Sequence, residues 1–323
     1  MIIDGIEYSV IDVYDLSITV PDSFVVNDNK TCKGHGEAKL YMGAKDHMRI
    51  FYTNDVSNAG FEVECIILKE DLIQYMQTIC HEYNHPSIQY RGQGNKKNMS
   101  RLWKQRYDKL QLLPNVLKFT IKDQDQIEGG RGYVKTTGDA LKDGYGIIRS
   151  ISLPFVSYIS VMKLQEINSG NIVFYWKLFT DFSQMAEQQY AAKHYGERKR
   201  MRNKTIRDGQ IKYRQDLFSL FGHCPFSKID DAKLLIASHI KPWAVSNSAE
   251  KTDCNNGLML SPLYDKLFDR GLISFENNGQ LKISNWLSPA NRERINFSYK
   301  MEDLHLTPQR QAYLDYHRKF VFK

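Results

Sequence analysis

Ala237-Ser238-His239-Ile240-Lys241-Pro242-Trp243, then Asn255-Asn256-Gly257-Leu258-Met259-Leu260-Ser261-Pro262, then Asp265-Lys266-Leu267-Phe268-Asp269-Arg270-Gly271, is the stretch on which the reading of this chain turns. Ala232 to Ile240 is a run of strand character containing His239 near its end, and Met259-Leu260 leads into a second strand. Pro262 stands where a helix would begin and Gly271 where it would end, so a short helix carries Asp265 and Asp269 one turn apart. The order is strand, loop, strand, helix: a ββα unit. A histidine beside carboxylates is the smallest set of groups for metal-assisted hydrolysis of a phosphodiester, supplying a base for water and ligands for one divalent ion.

The rest of the chain is ordinary in composition and uneven in charge. Its 323 residues, 42% hydrophobic and 25% charged, suffice for two domains with cores of their own. No apolar run approaches the roughly 20 residues of a membrane span, and Met1-Ile2-Ile3-Asp4-Gly5 does not read as a secretory signal. Cys32, Cys65, Cys80, Cys224 and Cys254 never form a CxxC pair, which predicts free thiols in a reducing cytoplasm and argues against a structural zinc at Cys224 and Cys254. Of the net charge of +7, much is concentrated in two runs. Gly196 to Arg214 holds eight basic residues against two acidic ones, and Arg91 to Lys109 holds seven against one. Such clusters suit a polyanion, although a solvated helix face has the same composition.

Outward from the ββα unit, the N-terminal part reads as mixed α+β. Alternating runs such as Tyr8 to Val13 and Phe61 to Ile67 predict strands, Glu70 to Tyr83 a helix, and Arg101 to Leu112 a basic helix with Trp103 and Tyr107 one turn apart. That pair can stack on nucleic acid or pack into a core. Strands are predicted over Val116 to Lys122 and Gly146 to Phe179, with a hairpin turn at Asn168-Ser169-Gly170-Asn171. Asp181 or Ser183 can cap a basic helix leading to a short amphipathic helix over Tyr213 to Phe221. Asn277-Asn278-Gly279 marks a second hairpin. The expected organisation is a target-recognition domain over 1–180, a basic linker helix over 181–205 and a ββα domain over 206–323.

This arrangement resembles the HNH endonucleases, most of all the branch in which the domain is C-terminal in restriction-type proteins. The likeness starts at Gly209-Gln210-x-x-Tyr213-Arg214, passes through Cys224 and the segments quoted above, and extends to Tyr316-His317-Arg318, about a third of the chain. The resemblance implies a ββα-metal fold with His239 as general base, Asn256 holding the loop and helping to orient the base, and Asp265 binding metal where the family usually has His or Asn. It offers Asp269 as a further ligand, while Ser238 stands where many members carry an Asp or His ligand. Asp269 can equally cap its helix or pair with Arg270, and Asn256 before a glycine is a good turn former anywhere. His223, His305 and His317 read as surface or packing residues.

Carboxylate and water ligands favour Mg²⁺ or Mn²⁺. Lys241 and Arg270 flank the site, and with Arg200, Arg202, Lys96, Lys97 and Arg101 they are the candidate DNA contacts. The expectation is a DNA endonuclease of a restriction or anti-phage system acting on double-stranded DNA, as a homodimer for a palindromic target and leaving 5′-phosphate ends as the family does. Two other readings share the sequence: a nucleic-acid-binding or regulatory protein with a degenerate HNH domain, and a structure-specific nickase or RNA nuclease.

Overall fold

The computed structural model describes residues 1–20, 39–87, 99–124, 129–137, 143–181 and 199–323; the side chains of 15–17, 199–209 and 244 are outside the description. Two compact units emerge, Met1–Glu187 and Gln188–Lys323. Together they are a mixed α+β protein. Among the described residues no helix is long and apolar enough to cross a membrane.

The first unit contains β1 (Ile2–Ile3), β2 (Ile6–Thr19), β3 (Leu40–Ala44), α1 (Lys45–Thr53), β4 (Glu62–Leu68), α2 (Lys69–Thr78), α3 (Cys80–Asn84) and α4 (Met99–Gln111). It continues with β5 (Val116–Asp123), β6 (Arg131–Thr136), α5 (Gly144–Ile151), β7 (Ser157–Glu166) and β8 (Ile172–Thr180). The strands form one eight-stranded sheet in the order β1-β2-β7-β8-β4-β5-β6-β3. Among the described residues only β4 and β8 pair in parallel, with Cys65 opposite Phe174. Trp176, wholly buried, sits edge-on to Phe119 and Tyr145 in the core.

Two local expectations change here, and one open choice narrows. Gly144 to Ile151 is a helix, where the β-branched run predicted strand: Asp143 caps it by accepting from the Gly146 N–H at 2.9 Å. It is only eight residues long, nearly all of them buried, and a short isoleucine-rich run of that length reads equally well as a buried strand. The Glu70 to Tyr83 helix divides at Ile79 into α2 and α3. Trp103 and Tyr107 stack on each other at 4.7 Å, and Trp103 Nε1 donates to the Met76 carbonyl at 2.7 Å. Both pack against the core cluster, which favours the packing reading over a nucleic-acid clamp.

The second unit holds α6 (Lys199–Phe221), β9 (Ile236–His239), β10 (Gly257–Leu260), α7 (Pro262–Asp269), β11 (Ile273–Phe275), β12 (Leu281–Ile283), α8 (Pro289–Arg294) and α9 (Pro308–Phe320). The basic run from Lys199 and the Tyr213 to Phe221 segment are one continuous helix rather than two. Likewise, Ala232–Leu234 is a 3₁₀ turn capped by Asp231, and the strand starts only at Ile236. β9 and β10 form an antiparallel hairpin flanked by α6 and α7, so the ββα order read from the sequence is the local fold.

The ends of α7 are set as the sequence signals. Pro262 occupies the first turn, where a missing N–H costs nothing. At the other end Gly271 adopts φ 66°, its N–H bonding Phe268 O and the Leu272 N–H bonding Leu267 O. A side chain at 271 would also strike the Val321 carbonyl, 2.0 Å from a Cβ. Beneath α7, His317 of α9 stacks on Phe268 at 3.9 Å and its Nε2 donates to the Phe268 carbonyl. Burial drives the His317 pKa down to about 3, so it is a neutral packing residue.

Candidate active site

In the hairpin His239 lies opposite Gly257 and Ser238 opposite Leu258. Successive strand residues face opposite sides. Accordingly, His239 meets Tyr213 of α6, while Ser238 lies beside Asp265 of α7. Among the described residues His239 and Asp265 share no hydrogen bond.

The His239 ring is held on three sides. It stacks on Tyr213 with centroids 4.4 Å apart and planes at 19°, and meets the edge of Trp243 at 5.4 Å and 80°. Its Nε2 lies 3.1 Å from the Lys251 carbonyl oxygen. A carbonyl only accepts, so in the neutral ring Nε2 carries the proton and Nδ1 keeps the lone pair. Burial lowers the His239 pKa, the Lys251 carbonyl acts against that, and the Lys251 ammonium adds to it. The ring is therefore neutral at pH 7, with one nitrogen able to take a proton.

Asn256 is fully buried and fastens the loop between the strands. Its Oδ1 accepts from the Lys241 N–H at 2.7 Å; its Nδ2 donates to Glu250 O at 3.0 Å, Lys241 O at 3.3 Å and Ser246 Oγ at 3.4 Å. The Asn256 carbonyl accepts from Ile240 N–H and the Tyr213 hydroxyl. Lys241 closes the same loop through a 2.7 Å ion pair with Glu250 and lies over the Tyr316 ring.

Ser238 and Asp265 are the groups with oxygen to offer. Ser238 Oγ is shut away from solvent and makes no hydrogen bond of ordinary geometry. Leaving a buried hydroxyl unmatched costs about 1–3 kcal/mol. Burial raises the Asp265 pKa, with the nearby Ser238 hydroxyl and Lys266 only partly opposing it. Asp265 forms no ion pair among the described residues. A desolvated carboxylate beside an unmatched hydroxyl fits a hard divalent cation that completes its shell with water and phosphate oxygens. Among the described residues no group of three or more His, Cys, Asp or Glu side chains could hold a metal by itself.

The other candidate residues are dispersed. Asp269 is exposed at the end of α7, on the same face as Asp265, and Arg270 is half-buried beside it. Arg101 is exposed on α4, in the first unit. Arg200 and Arg202 belong to α6, their side chains outside the description, and Lys96 and Lys97 lie outside the described residues.

Four residues escaped the sequence reading: Tyr213 as the ring under His239, Lys251 through its carbonyl, Glu250 as the partner of Lys241, and the buried Arg310. A backbone carbonyl leaves no trace in a side-chain pattern. Glu250 was within reach, as the acid nine residues after Lys241 in the loop.

No curated protein matches the chain. Residues 224–276, which span β9, the loop, β10, α7 and β11, match the family model described as HNH endonuclease. The C-terminal part of this chain is an HNH endonuclease domain.

Proposed function

We propose that this protein is a metal-dependent DNA endonuclease of a restriction or anti-phage system. In this reading His239 takes a proton from the attacking water through Nδ1. The imidazolium that results keeps its bond from Nε2 to Lys251 O, which stabilises the added charge. Asn256 holds the loop that supplies this carbonyl, and Asp265 with Ser238, joined by Asp269 at the helix end, holds Mg²⁺ or Mn²⁺. A cation held there supplies stabilisation of the charge on the phosphate and the leaving oxygen. His239 and Ser238 leave β9 on opposite sides, so the reading requires the scissile phosphate to lie at the end of that strand.

The observation that carries the proposal is the Nε2 bond to Lys251, which leaves Nδ1 as a neutral base at the end of an HNH hairpin. Residues 1–180 would recognise the target and residues 181–205 serve as a basic connector. Arg200, Arg202, Lys96, Lys97, Arg101, Lys241 and Arg270 would contact phosphate, Lys241 only after giving up Glu250. The substrate is double-stranded DNA, the working form a homodimer and the compartment the cytoplasm. A single ββα site cuts one strand, so a double-strand break takes two active sites or two successive nicks.

Incubation with methylated and unmethylated phage and plasmid DNA, in Mg²⁺, Mn²⁺ or EDTA, tests this. Discrete fragments abolished by EDTA are expected, and sensitivity to methylation assigns restriction. Binding without cleavage on every substrate would instead identify a degenerate HNH module.

Asp265 supplies a further prediction. Its pKa is raised in the fold, so the contribution of this group to stability is full below the unfolded pKa and is lost as pH rises through the folded one. At pH 7 the ionised carboxylate therefore weakens the metal-free protein. Asp265→Asn is expected to abolish cleavage yet raise the melting temperature slightly in EDTA, and to lose the upward shift that Mg²⁺ gives the wild type. A variant that melts earlier than wild type in EDTA contradicts this.

A further inference from the structure

We infer that Tyr213 is a positioning residue for His239, its ring fixing the plane of the imidazole and its hydroxyl tying α6 to the strand ends on either side. The inference rests on the general-base reading of His239 and adds what holds that base in place.

Three observations carry it. The stack of Tyr213 on His239, 4.4 Å and 19° from parallel, confines the imidazole to one plane. The Tyr213 hydroxyl donates to Asn256 O at 3.0 Å, and that carbonyl also receives the N–H of Ile240, the residue after His239. Finally, Gly257, which faces His239 across the ladder, leaves the space that the phenol fills. A Cβ at 257 would lie 2.2 Å from the Tyr213 hydroxyl and 2.6 Å from Leu217 Cδ1. The glycine of the Asn256-Gly257 pair is thus a seat for Tyr213. Within the plane so fixed, the Lys251 carbonyl selects which nitrogen bears the proton, and Trp243 closes the ring's edge. A packing residue alone would bear on stability; a positioning residue bears on tautomer and turnover as well.

The test compares Tyr213→Phe, which keeps the stack, with Tyr213→Leu and Tyr213→Met, which remove it. The ¹⁵N shifts of His239 in DNA-free protein at pH 8 report the tautomer of the neutral ring. Wild type and Tyr213→Phe are expected to hold the proton on Nε2, and the Leu and Met variants to show a mixture. With plasmid DNA and Mg²⁺, these two variants are expected to lose about 100-fold in kcat at little change in KM, since a misplacement of an ångström can cost that much. Tyr213→Phe keeps the stack and loses only the bond to Asn256 O, so its loss is expected to stay below about tenfold, the worth of one hydrogen bond.

A folded Leu or Met variant that keeps the Nε2 proton overturns the inference. So does failure of both to fold while Tyr213→Phe folds, which would make the ring plain packing. If the wild type cuts no DNA, the nuclease reading fails, and the tautomer measurement still decides the part played by Tyr213.

Discussion

Replacing His239 by Ala is expected to lower kcat for DNA cleavage by about 10³-fold, within the range over which a positioned base contributes, and to leave DNA binding unchanged. The substitution removes the Nδ1 lone pair and a ring packed between Tyr213 and Trp243, without touching the four bonds by which Asn256 fastens the loop. Binding, read by a filter or gel assay in EDTA, separates loss of chemistry from loss of fold. The pH profile adds a sign. In the general-base reading the active form is the neutral imidazole, and burial holds its pKa below the ordinary 6.5. Activity should therefore persist below pH 6.5 and fall only as pH drops through the lowered value. An acid limb above 6.5, or a variant that still cuts, would remove His239 from the mechanism.

The largest stability effect is expected at Arg310, which is wholly buried. Its Nε donates to Gly257 O at 3.3 Å, Nη2 to Cys254 O at 2.8 Å, and Nη1 to His305 O and, at 3.5 Å, Leu304 O. The guanidinium also covers the Phe221 ring. Among the described residues no carboxylate pairs with it, so backbone carbonyls and the Phe221 ring replace its hydration, and burial lowers its pKa. Arg310→Leu would fill part of the volume and orphan these carbonyls, at roughly 3–5 kcal/mol in all. Urea denaturation should show a much lower midpoint with an unchanged slope. Lys should rescue only partly, because a single ammonium cannot reach both sides of the fork. A midpoint within error of wild type would refute this account. Because Cys254 and Gly257 flank Asn255-Asn256, a variant that remains folded should also bind metal and DNA less well.

The contrast between these residues explains what the sequence could yield. The hairpin and α7 were legible because their signals are local: Pro262 at one helix end, Gly271 at the other, and Asn256-Gly257 at the strand entry. Asp265 and Ser238 followed from register against the family pattern. By contrast, Gly144 to Ile151 hid a helix because an eight-residue isoleucine-rich run has the length of a strand, and its defining contact is a cap from Asp143. Tyr213 and Arg310 act over 43 and 53 residues on backbone oxygens, which are identical at every position and so invisible in a string of side chains. Asn256 was readable as a turn former. The family pattern also named it as the holder of the loop, and the fold adds the partners that make it a knot, Lys241, Ser246 and Glu250.

That knot bears on how the protein ages. Asn-Gly is the dipeptide most prone to deamidate, the glycine nitrogen attacking the side-chain amide with loss of ammonia. In Asn256 both ends of that amide are engaged and shielded from solvent, so the native hairpin suppresses the reaction, and damage proceeds through opened forms of the loop. That attack closes a succinimide, which water then opens to aspartate or isoaspartate; the aspartate would set a carboxylate oxygen where Nδ2 now donates to Glu250 O and Lys241 O, negative oxygen against carbonyl oxygen. The loop could not close again around it. Reclosing is fast beside deamidation, so the lifetime of the closed loop is set by the equilibrium fraction of time this hairpin stands open, and each deamidation is irreversible.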